Sequence, residues 1–226
     1  HLNKVAVWTY YQDAKRDEGI DAGATTVAFV PEKGWFWFIP QHNNITSVGI
    51  VAEAKYLTRD GVKKPEDIFN REITENKWIR QYLSEGEPVG PYRATSEYTF
   101  RSRYSSEKGL LLIGDAFGFL DPVFSSGLLI ALKSGVLAGE TVSQCLKDDD
   151  LSPGRFSEYS RVMCEGIENM RKLVYAFYNE KFSFKDLIDK YPEVGGDVTD
   201  CLSGDVNKDF SVLWEKIRDF AEIPED

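Results

Sequence analysis

The segment 110–127, LLLIGDAFGFLDPVFSSG, constrains the fold of this chain more than any other stretch. It opens with an apolar run, and together with the preceding glycine this run predicts a buried strand over residues 109–113. The run ends at Gly114 and Asp115, and a turn stiffened by Pro122 leads to a Ser-Ser-Gly sequence where a helix begins. A strand end, a turn and a helix start therefore converge, and α/β proteins bind nucleotides at such places.

The residue types in this segment point to a ligand with hydroxyls and negative charge. The carboxylate of Asp115 is placed to accept hydrogen bonds from a sugar-like polyol. Ser126 and Gly127 present backbone N–H groups at a helix N-terminus, which favours an anion or an electron-rich ring edge. Small residues recur every four positions and leave one helix face bare: Ala131, Gly135 and Gly139. The alternatives are a turn or capping role for Asp115 and an ordinary N-cap by Ser125 or Ser126.

Two motifs carry a resemblance to a known family. The string GDAFGFLDPVFSSG resembles the second FAD-binding motif of the flavoprotein monooxygenase superfamily, and its DPVFSSG form is similar to that of flavin-dependent halogenases acting on phenols or carrier-bound substrates. The string GWFWFIP at 34–40 resembles the W-x-W-x-I-P signature of the same halogenases. The motifs stand in the expected order, and the resemblance covers about the first two thirds of the chain.

The resemblance implies roles for individual residues. It implies cofactor binding by Gly114, Asp115, Pro122, Ser126 and Gly127. It also implies that the amides of Ser126 and Gly127 hold the halide. The signature residues that it places beside the flavin are Trp35, Trp37, Ile39 and Pro40. Bulky indoles there would keep substrate away from the flavin oxidant, whereas core packing of two large aromatics is the alternative explanation.

The chain departs from the family pattern at two places. Tryptophan halogenases carry a glutamate two residues before the position that matches Ser126, and this chain has Phe124, which moves the expected substrate away from free tryptophan. The N-terminal G-x-G-x-x-G turn is absent, since the nearest candidate, Gly19–Gly23, has the wrong spacing. We therefore expect the C-terminal portion of a longer flavoprotein, with the family's catalytic lysine in the segment that precedes it and assigned to no residue here.

Composition narrows the class of protein. At 226 residues with 42% hydrophobic content, the chain can bury a sizeable core in one or two domains. The formal net charge of −10 argues against nucleic acid or an anionic membrane as partner. Three cysteines without CxxC spacing predict reduced thiols in a cytoplasm, and two histidines are too few for a histidine-based metal site. No apolar run is long enough to span a membrane.

The pattern along the chain predicts an α+β or α/β fold. Strands are expected at 5–11, 25–30, 35–39 and 45–53, with PEKG connecting the second and third. A helix is expected at 68–83, ended by the segment 87–91, and a strand at 92–104. Two further helices are expected at 155–177 and 209–220, with a loop at 192–197 between them.

Together with the family resemblance, this pattern of strands and helices predicts the C-terminal part of a two-domain FAD monooxygenase-type fold. Three regions are expected. Residues 1–100 would form the substrate-domain antiparallel sheet and helix, 101–150 the FAD-binding strand, turn and helix, and 151–226 a C-terminal helical region.

The function that the resemblance implies is that of a cytoplasmic FAD-dependent halogenase. It would use reduced FAD from a separate flavin reductase, dioxygen, and chloride or bromide to halogenate an electron-rich phenolic, pyrrolic or carrier-bound substrate. Two alternatives remain open at this point. One is a hydroxylating flavin monooxygenase or related flavin reductase, and the other is a non-catalytic binding module derived from a flavoprotein.

Overall fold

The computed structural model describes residues 2–30, 34–96, 98–205 and 208–225. The chain forms two compact units, His1–Glu97 and Tyr98–Asp226. The predicted three-region division, with its further boundary at residue 150, stays a prediction. Throughout the described ranges, every helix is too short or too polar to cross a bilayer.

The first unit is an antiparallel sheet with helices on one face. Its strands are β1 (Lys4–Gln12), β2 (Thr26–Val30), β3 (Gly34–Pro40), β4 (Ile45–Glu53) and β5 (Glu87–Ser96), and its helices are α1 (Ala54–Leu57), α2 (Pro65–Glu75) and α3 (Lys77–Leu83). The five strands follow the order β2-β3-β4-β1-β5. The first four match the predicted strands, because runs of β-branched and aromatic residues favour a pleated, half-buried surface. The predicted PEKG connection lies, apart from Gly34, outside the described residues.

Strand alternation divides the aromatic residues of this sheet between two faces. Phe36 and Phe38 point toward the helices and join a core with Phe69 and Ile79. Trp35 and Trp37 therefore point to the opposite face. This separation places the tryptophans of the signature away from the helix-covered core.

Two element predictions in the first unit were wrong in detail. The single helix expected at 68–83 is two helices, because Asn76 interrupts it and caps the second: its Oδ1 accepts from the N–H of Ile79 at 3.1 Å. The strand expected at 92–104 instead begins at Glu87 and ends at Ser96, so that the segment 87–91 is part of the strand. Pro88 and Pro91 tolerate this position because β5 is an edge strand of the sheet.

The second unit is mainly helical. Its helices are α4 (Gly127–Lys147), α5 (Ser157–Phe177), α6 (Phe184–Lys190), α7 (Gly195–Leu202) and α8 (Ser211–Ile217), and its short strands are β6 (Phe100–Arg101), β7 (Ser106–Glu107), β8 (Leu110–Leu111) and β9 (Gly118–Phe119). The helices expected at 155–177 and 209–220 are confirmed as α5 and α8, with somewhat later starts. One core joins α4 to α5 through Ile130, Met163 and Ile167, and a second joins α5 to the later helices.

Two predictions for the second unit are overturned. The buried strand expected at 109–113 is reduced to β8, which pairs only with β7, and Leu110 and Ile113 are exposed. An apolar segment becomes a buried strand only if other strands pair with it on both sides. Within the described residues, Ser106–Glu107 is the only segment that pairs with this run. The loop expected at 192–197 is a 3₁₀ turn, Pro192–Val194, followed directly by α7. Val194 and Val198 are buried in the second core, and this burial outweighs the low helix propensity of Gly195 and Gly196.

A buried ion network holds the helices of the first unit together. The side chain of Glu72 is fully buried, and its Oε1 lies 2.6 Å from Arg59 Nη1 and 2.8 Å from Arg71 Nε. Its Oε2 accepts from the hydroxyl of Tyr56 at 3.0 Å. Arg71 also donates to the carbonyl of Leu57 at 2.7 Å, so α2 is tied to the end of α1. Burial, followed by the charge of Glu72, raises the pKa of Tyr56 to about 12.

We expect Glu72→Ala to destabilise the chain by about 3 kcal/mol, because it leaves two guanidinium groups without their buried counter-charge. Urea unfolding followed by circular dichroism measures this change. The matched control is Glu75→Ala on the same helix, since Glu75 is half exposed and contacts Arg59 at 2.9 Å; its cost should stay below about 1 kcal/mol. Equal costs for the two variants would contradict the importance of burial.

Candidate functional site

The predicted Gly114–Asp115 motif forms a tight turn packed on α4. Gly114 begins the 3₁₀ turn Gly114–Ala116 with a φ of +51°. Its N–H donates to Ser134 Oγ at 2.9 Å, and this hydroxyl donates in turn to the carbonyl of Ala131 at 3.0 Å. A Cβ on Gly114 would lie 3.2 Å from the Cβ of Ala131. Both the left-handed conformation and the close approach to the helix favour glycine here.

Asp115 lies on the outer side of this turn. Its side chain is exposed, and within the described residues its carboxylate has no hydrogen-bond or ion-pair partner. The structure therefore gives no support to the alternative capping role, because the turn Gly114–Ala116 receives no side-chain cap. An acceptor of this kind is available to a ligand.

The loop that follows is fixed by a buried carboxylate. Asp121 is 1% exposed, its Oδ1 accepts from the N–H of Val123 at 3.2 Å, and its Oδ2 accepts from the hydroxyl of Tyr178 at 3.0 Å. Pro122 occupies the first position of the 3₁₀ turn Pro122–Phe124, which suits its fixed φ. Ser125 then adopts a φ of +54° and turns the chain into the helix.

The N-terminus of α4 has no side-chain cap. Ser126 is the N-cap residue, and its hydroxyl makes no capping hydrogen bond. The first N–H groups of an α-helix have no intrahelical partner. The space beside Gly127 is open, since nothing lies within 4 Å of the position of an added Cβ. The alternative of an ordinary cap by Ser126 is therefore not what the structure shows.

The helix face expected to be bare divides into two parts. Ala131 packs at the Gly114 turn, which explains its small size structurally. Added Cβ atoms at Gly135 and Gly139 would meet nothing within 4 Å. Large apolar side chains on the same helix are exposed: Leu128, Leu132, Val136 and Leu146.

Phe124 is partly buried and packs against the core of the later helices of the second unit. Its ring makes edge contacts with Phe177 at 5.8 Å and with Phe184 at 6.0 Å between centroids. The position that carries a glutamate in tryptophan halogenases is therefore a packing residue in this chain.

The signature residues of the first unit lie along β3. Trp35 is buried, and its ring centroid is 5.9 Å from that of Trp37, which is half-buried. The indole Nε1–H of Trp37 donates to Ser47 Oγ at 3.1 Å. Ile39 points to the same face by strand alternation, whereas Pro40 points to the other and ends the strand.

Sequence reasoning missed the residues that hold the motif in place. Ser134 accepts the N–H of Gly114, and Tyr159 donates to the carbonyl of Leu112 at 2.6 Å. Burial raises the pKa of Tyr159 to about 12. Asp121 was detectable, because an Asp before Pro at a helix start is a capping pattern. Nothing in the pattern connects Tyr159 or Tyr178 to segments tens of residues away.

Candidate metal ligands and three cysteines also occur in this chain. Over the described ranges there is no group of three His, Cys, Asp or Glu side chains that could hold a metal ion. Cys145, Cys164 and Cys201 are free thiols, and burial raises the pKa of Cys201 to about 12. A thiol with a raised pKa is a poor nucleophile.

Comparison with known proteins assigns the family. Residues 5–186 match the sequence profile described as tryptophan halogenase, and this range includes both motifs. The chain belongs to the tryptophan halogenase family. The predicted relationship to flavin-dependent halogenases is thereby confirmed.

Named relatives in this halogenase family include both bacterial and fungal proteins. The chain is 29% identical over 193 residues to the 1H-pyrrole-2-carbonyl-[peptidyl-carrier protein] chlorinase of Pseudomonas fluorescens, covering 84% of this chain and 42% of the relative. It is 32% identical over 156 residues to the flavin-dependent halogenase ascD of Acremonium egyptiacum, covering 65% of this chain and 28% of that protein. The chain thus spans less than half the length of these curated relatives.

Solved structures of halogenases share the fold. The flavin-dependent brominase Bmp2 superposes with a TM-score of 0.82 at 24% identity, over 96% of this chain and 54% of that one. The myxobacterial chondrochloren halogenase CndH superposes with a TM-score of 0.71 at 26% identity, over 97% of this chain and 54% of that one. The predicted fold class, an antiparallel sheet with a helical remainder as in FAD-dependent halogenases, is confirmed.

We expect Gly114→Ala to destabilise this halogenase-family chain by about 2 kcal/mol, from left-handed strain plus crowding against Ala131. Gly109→Ala is the matched control, because Gly109 has a φ of +72° but open space around it, so only the strain of about 1 kcal/mol applies. Thermal unfolding measures both. Because Ala131→Gly itself costs about 1 kcal/mol of helix stability, the test is a double-mutant cycle: Gly114→Ala should cost less in a chain that already carries Ala131→Gly than in wild type, and equal costs in the two backgrounds would contradict the crowding.

Proposed function

We propose that the protein is an FAD-dependent halogenase that uses reduced FAD, dioxygen and a halide to halogenate an electron-rich substrate. The observation that carries this proposal is the arrangement at 114–127. An exposed carboxylate without a protein partner among the described residues lies in this segment together with a helix N-terminus that no side chain caps. Membership of the halogenase family supplies the chemistry that such a site would serve.

The residues present fit a flavin dinucleotide. Asp115 has the free acceptor that ribityl or ribose hydroxyls need. Gly114 keeps its backbone clear of a side chain, and Pro122 fixes the loop that would pass along the ring system. No side chain caps the helix start at Ser126, and the space beside the Cα of Gly127 is open. Gly114, Asp115, Pro122, Ser126 and Gly127 are therefore the residues that would hold the cofactor.

The same helix start would bind the halide. Ser126 and Gly127 offer backbone N–H groups in the first turn of a 21-residue helix, where the partial positive charge favours an anion. When bound, reduced FAD would give two electrons to dioxygen, and the partly reduced oxygen would then be the oxidant of the halide. The role of this chain is to bind the cofactor and the chloride or bromide next to each other, to orient them and to exclude water. Trp35, Trp37 and Ile39, which share one face of β3, would form the wall that separates the organic substrate from the cofactor, and Pro40 ends the strand that carries them.

The proposed substrate is phenolic, pyrrolic or bound to a carrier protein. Phe124 makes edge contacts with Phe177 and Phe184, so this position contributes packing and no carboxylate. A substrate that is itself electron-rich needs less assistance from the enzyme. The names of two relatives, a chlorinase and a brominase of 1H-pyrrole-2-carbonyl-[peptidyl-carrier protein], support a carrier-bound pyrrole as one member of this class.

The proposed partners are a separate flavin reductase, which supplies the reduced cofactor, and the substrate or its carrier protein. The net charge of −10 opposes nucleic acid as a partner. Three free thiols are compatible with a reducing cytoplasm, which is the location we propose.

The second candidate is a flavoprotein that hydroxylates or transfers hydride without halide. A flavoprotein/dehydrogenase from Cytophaga hutchinsonii superposes with a TM-score of 0.78 at 26% identity over 96% of this chain. That likeness favours a flavin site of the same kind but says nothing of a halide. The proposed halogenase and this rival share Asp115 and Gly127 and differ in the need for chloride or bromide.

Asp115→Asn should weaken FAD binding by the full-length protein about tenfold, because a charged acceptor is lost from a hydrogen bond to the cofactor. Quenching of flavin fluorescence measures the dissociation constant. Asp149→Asn is the control, since Asp149 is also an exposed aspartate of the second unit. Both variants should unfold at the wild-type temperature, and unchanged FAD affinity in Asp115→Asn would contradict the role of this carboxylate.

Turnover of an electron-rich aromatic by the full-length protein should yield halogenated product only when chloride or bromide is supplied. The assay contains FAD, a flavin reductase with its reductant, and dioxygen, and mass spectrometry identifies the product. A halide-free reaction is the control. A hydroxylated product formed equally with and without halide would establish the second candidate, and a full-length protein that never binds FAD would favour the non-catalytic module.

A further inference from the structure

Gly49 lies between two tryptophans in the sheet of the first unit. In the pairing of β1 with β4 it faces Trp8, and in the pairing of β3 with β4 it faces Trp37. The indole of Trp37 covers the glycine so closely that an added Cβ would lie 2.2 Å from Cζ2 and 2.4 Å from Cη2. The rings of Trp8 and Trp37 are 6.4 Å apart between centroids and tilted by 44°.

The position requires glycine because of space and not because of backbone conformation. Gly49 is not among the residues with positive φ, so its backbone is one that alanine readily adopts. The atoms in contact are the fused ring of an indole, which cannot bend away as a flexible chain end can. A side chain at this position must therefore displace the whole ring of Trp37.

A second contact fixes the same indole through its ring nitrogen. Ser47 precedes Gly49 by two residues on β4 and shares its face. Its Oγ accepts from Nε1–H of Trp37 at 3.1 Å, and Ser47 is itself buried. One edge of the ring is thus held by a hydrogen bond, while its six-membered part rests on bare backbone.

We infer that Gly49 is a positioning residue for the signature tryptophan: together with Ser47 it sets the indole of Trp37 flat across β4. This inference rests on the proposed function, in which Trp37 belongs to the wall between cofactor and substrate. A flat indole occupies less height above the sheet than a raised one. Gly49 thereby determines how closely a planar group approaches this face and how well the wall excludes an organic ring.

The position of the indole is measured on the 226-residue chain labelled with 5-fluorotryptophan. The fluorine sits on Cζ3, which is bonded to the ring atom Cη2 that lies over Gly49. The chain contains five tryptophans, and Trp37→Phe assigns the resonance of interest. Gly49→Ala should shift the ¹⁹F resonance of Trp37 and accelerate hydrogen exchange at its Nε1–H. Gly23→Ala, an alanine placed where nothing lies within 4 Å, should change neither.

A double variant separates crowding from general damage. Gly49→Ala should lower Tm by about 10 °C, and it should lower Tm by no more than a few degrees in a chain that already carries Trp37→Val. If Gly49→Ala alone does not fold, a folded double variant Gly49→Ala/Trp37→Val with a Tm close to that of Trp37→Val still supports the crowding. An equal loss of Tm in both backgrounds, or an unshifted Trp37 resonance, would overturn the inference.

A separate measurement tests the role of Gly49 in the proposed reaction. In the full-length enzyme, Gly49→Ala should reduce the ratio of halogenated product to FAD reoxidised by at least several-fold, with Gly23→Ala unchanged. A shifted Trp37 resonance together with an unchanged ratio would overturn the role of Gly49 in the reaction. Failure of wild-type protein to halogenate at all would instead overturn the proposed function, and the effect on the indole would persist in the fluorine spectrum.

Discussion

The close approach of backbone to neighbouring groups, permitted by missing side chains, is the constraint on which both units depend. Gly114 packs on α4, and its N–H donates a hydrogen bond to the hydroxyl of Ser134. A methyl group on Gly114 would press against Ala131. Gly118 lies so near Phe100 and Ile167 that an added Cβ would fall 3.1 Å from the carbonyl of the first and 2.9 Å from the second. In each case the glycine brings a functional segment against a rigid element, which fixes its geometry at the cost of backbone entropy.

Side-chain hydrogen bonds then hold in place the segments that the glycines allow to come close. Tyr159 binds the carbonyl of Leu112 just before the motif, and Tyr178 binds the carboxylate of Asp121 within it. Tyr159 belongs to α5 and Tyr178 directly follows its last residue, and the apolar face of this helix packs in the cores of the second unit. The motif is therefore anchored to a rigid 21-residue helix, although most of its own residues lie in turns. A loop supported in this way keeps its geometry without extensive secondary structure of its own.

The sequence predicted the parts of this fold that periodicity and local chemistry determine. The first four strands and the helices α4 and α5 follow from such patterns. The run at 109–113 shows the limit, because its apolar residues predict burial and yet Leu110 and Ile113 are exposed. Hydrophobicity indicates that a surface prefers a partner, but only long-range pairing decides whether one is present. The contacts of Ser134, Tyr159 and Tyr178 join distant segments, and no spacing rule detects them.

The substitution at Phe124 connects packing to the choice of substrate. A carboxylate at this partly buried position would replace a ring that contacts Phe177 and Phe184, and it would lose part of its hydration without gaining a polar partner from those rings. Replacing Phe124 by glutamate would therefore disturb the aromatic contacts before it could add a polar group to the site. In the proposed halogenase the substrate must then react without the help of a carboxylate at this position. Electron-rich rings such as phenols and pyrroles meet this requirement, because an oxidised halide attacks them readily.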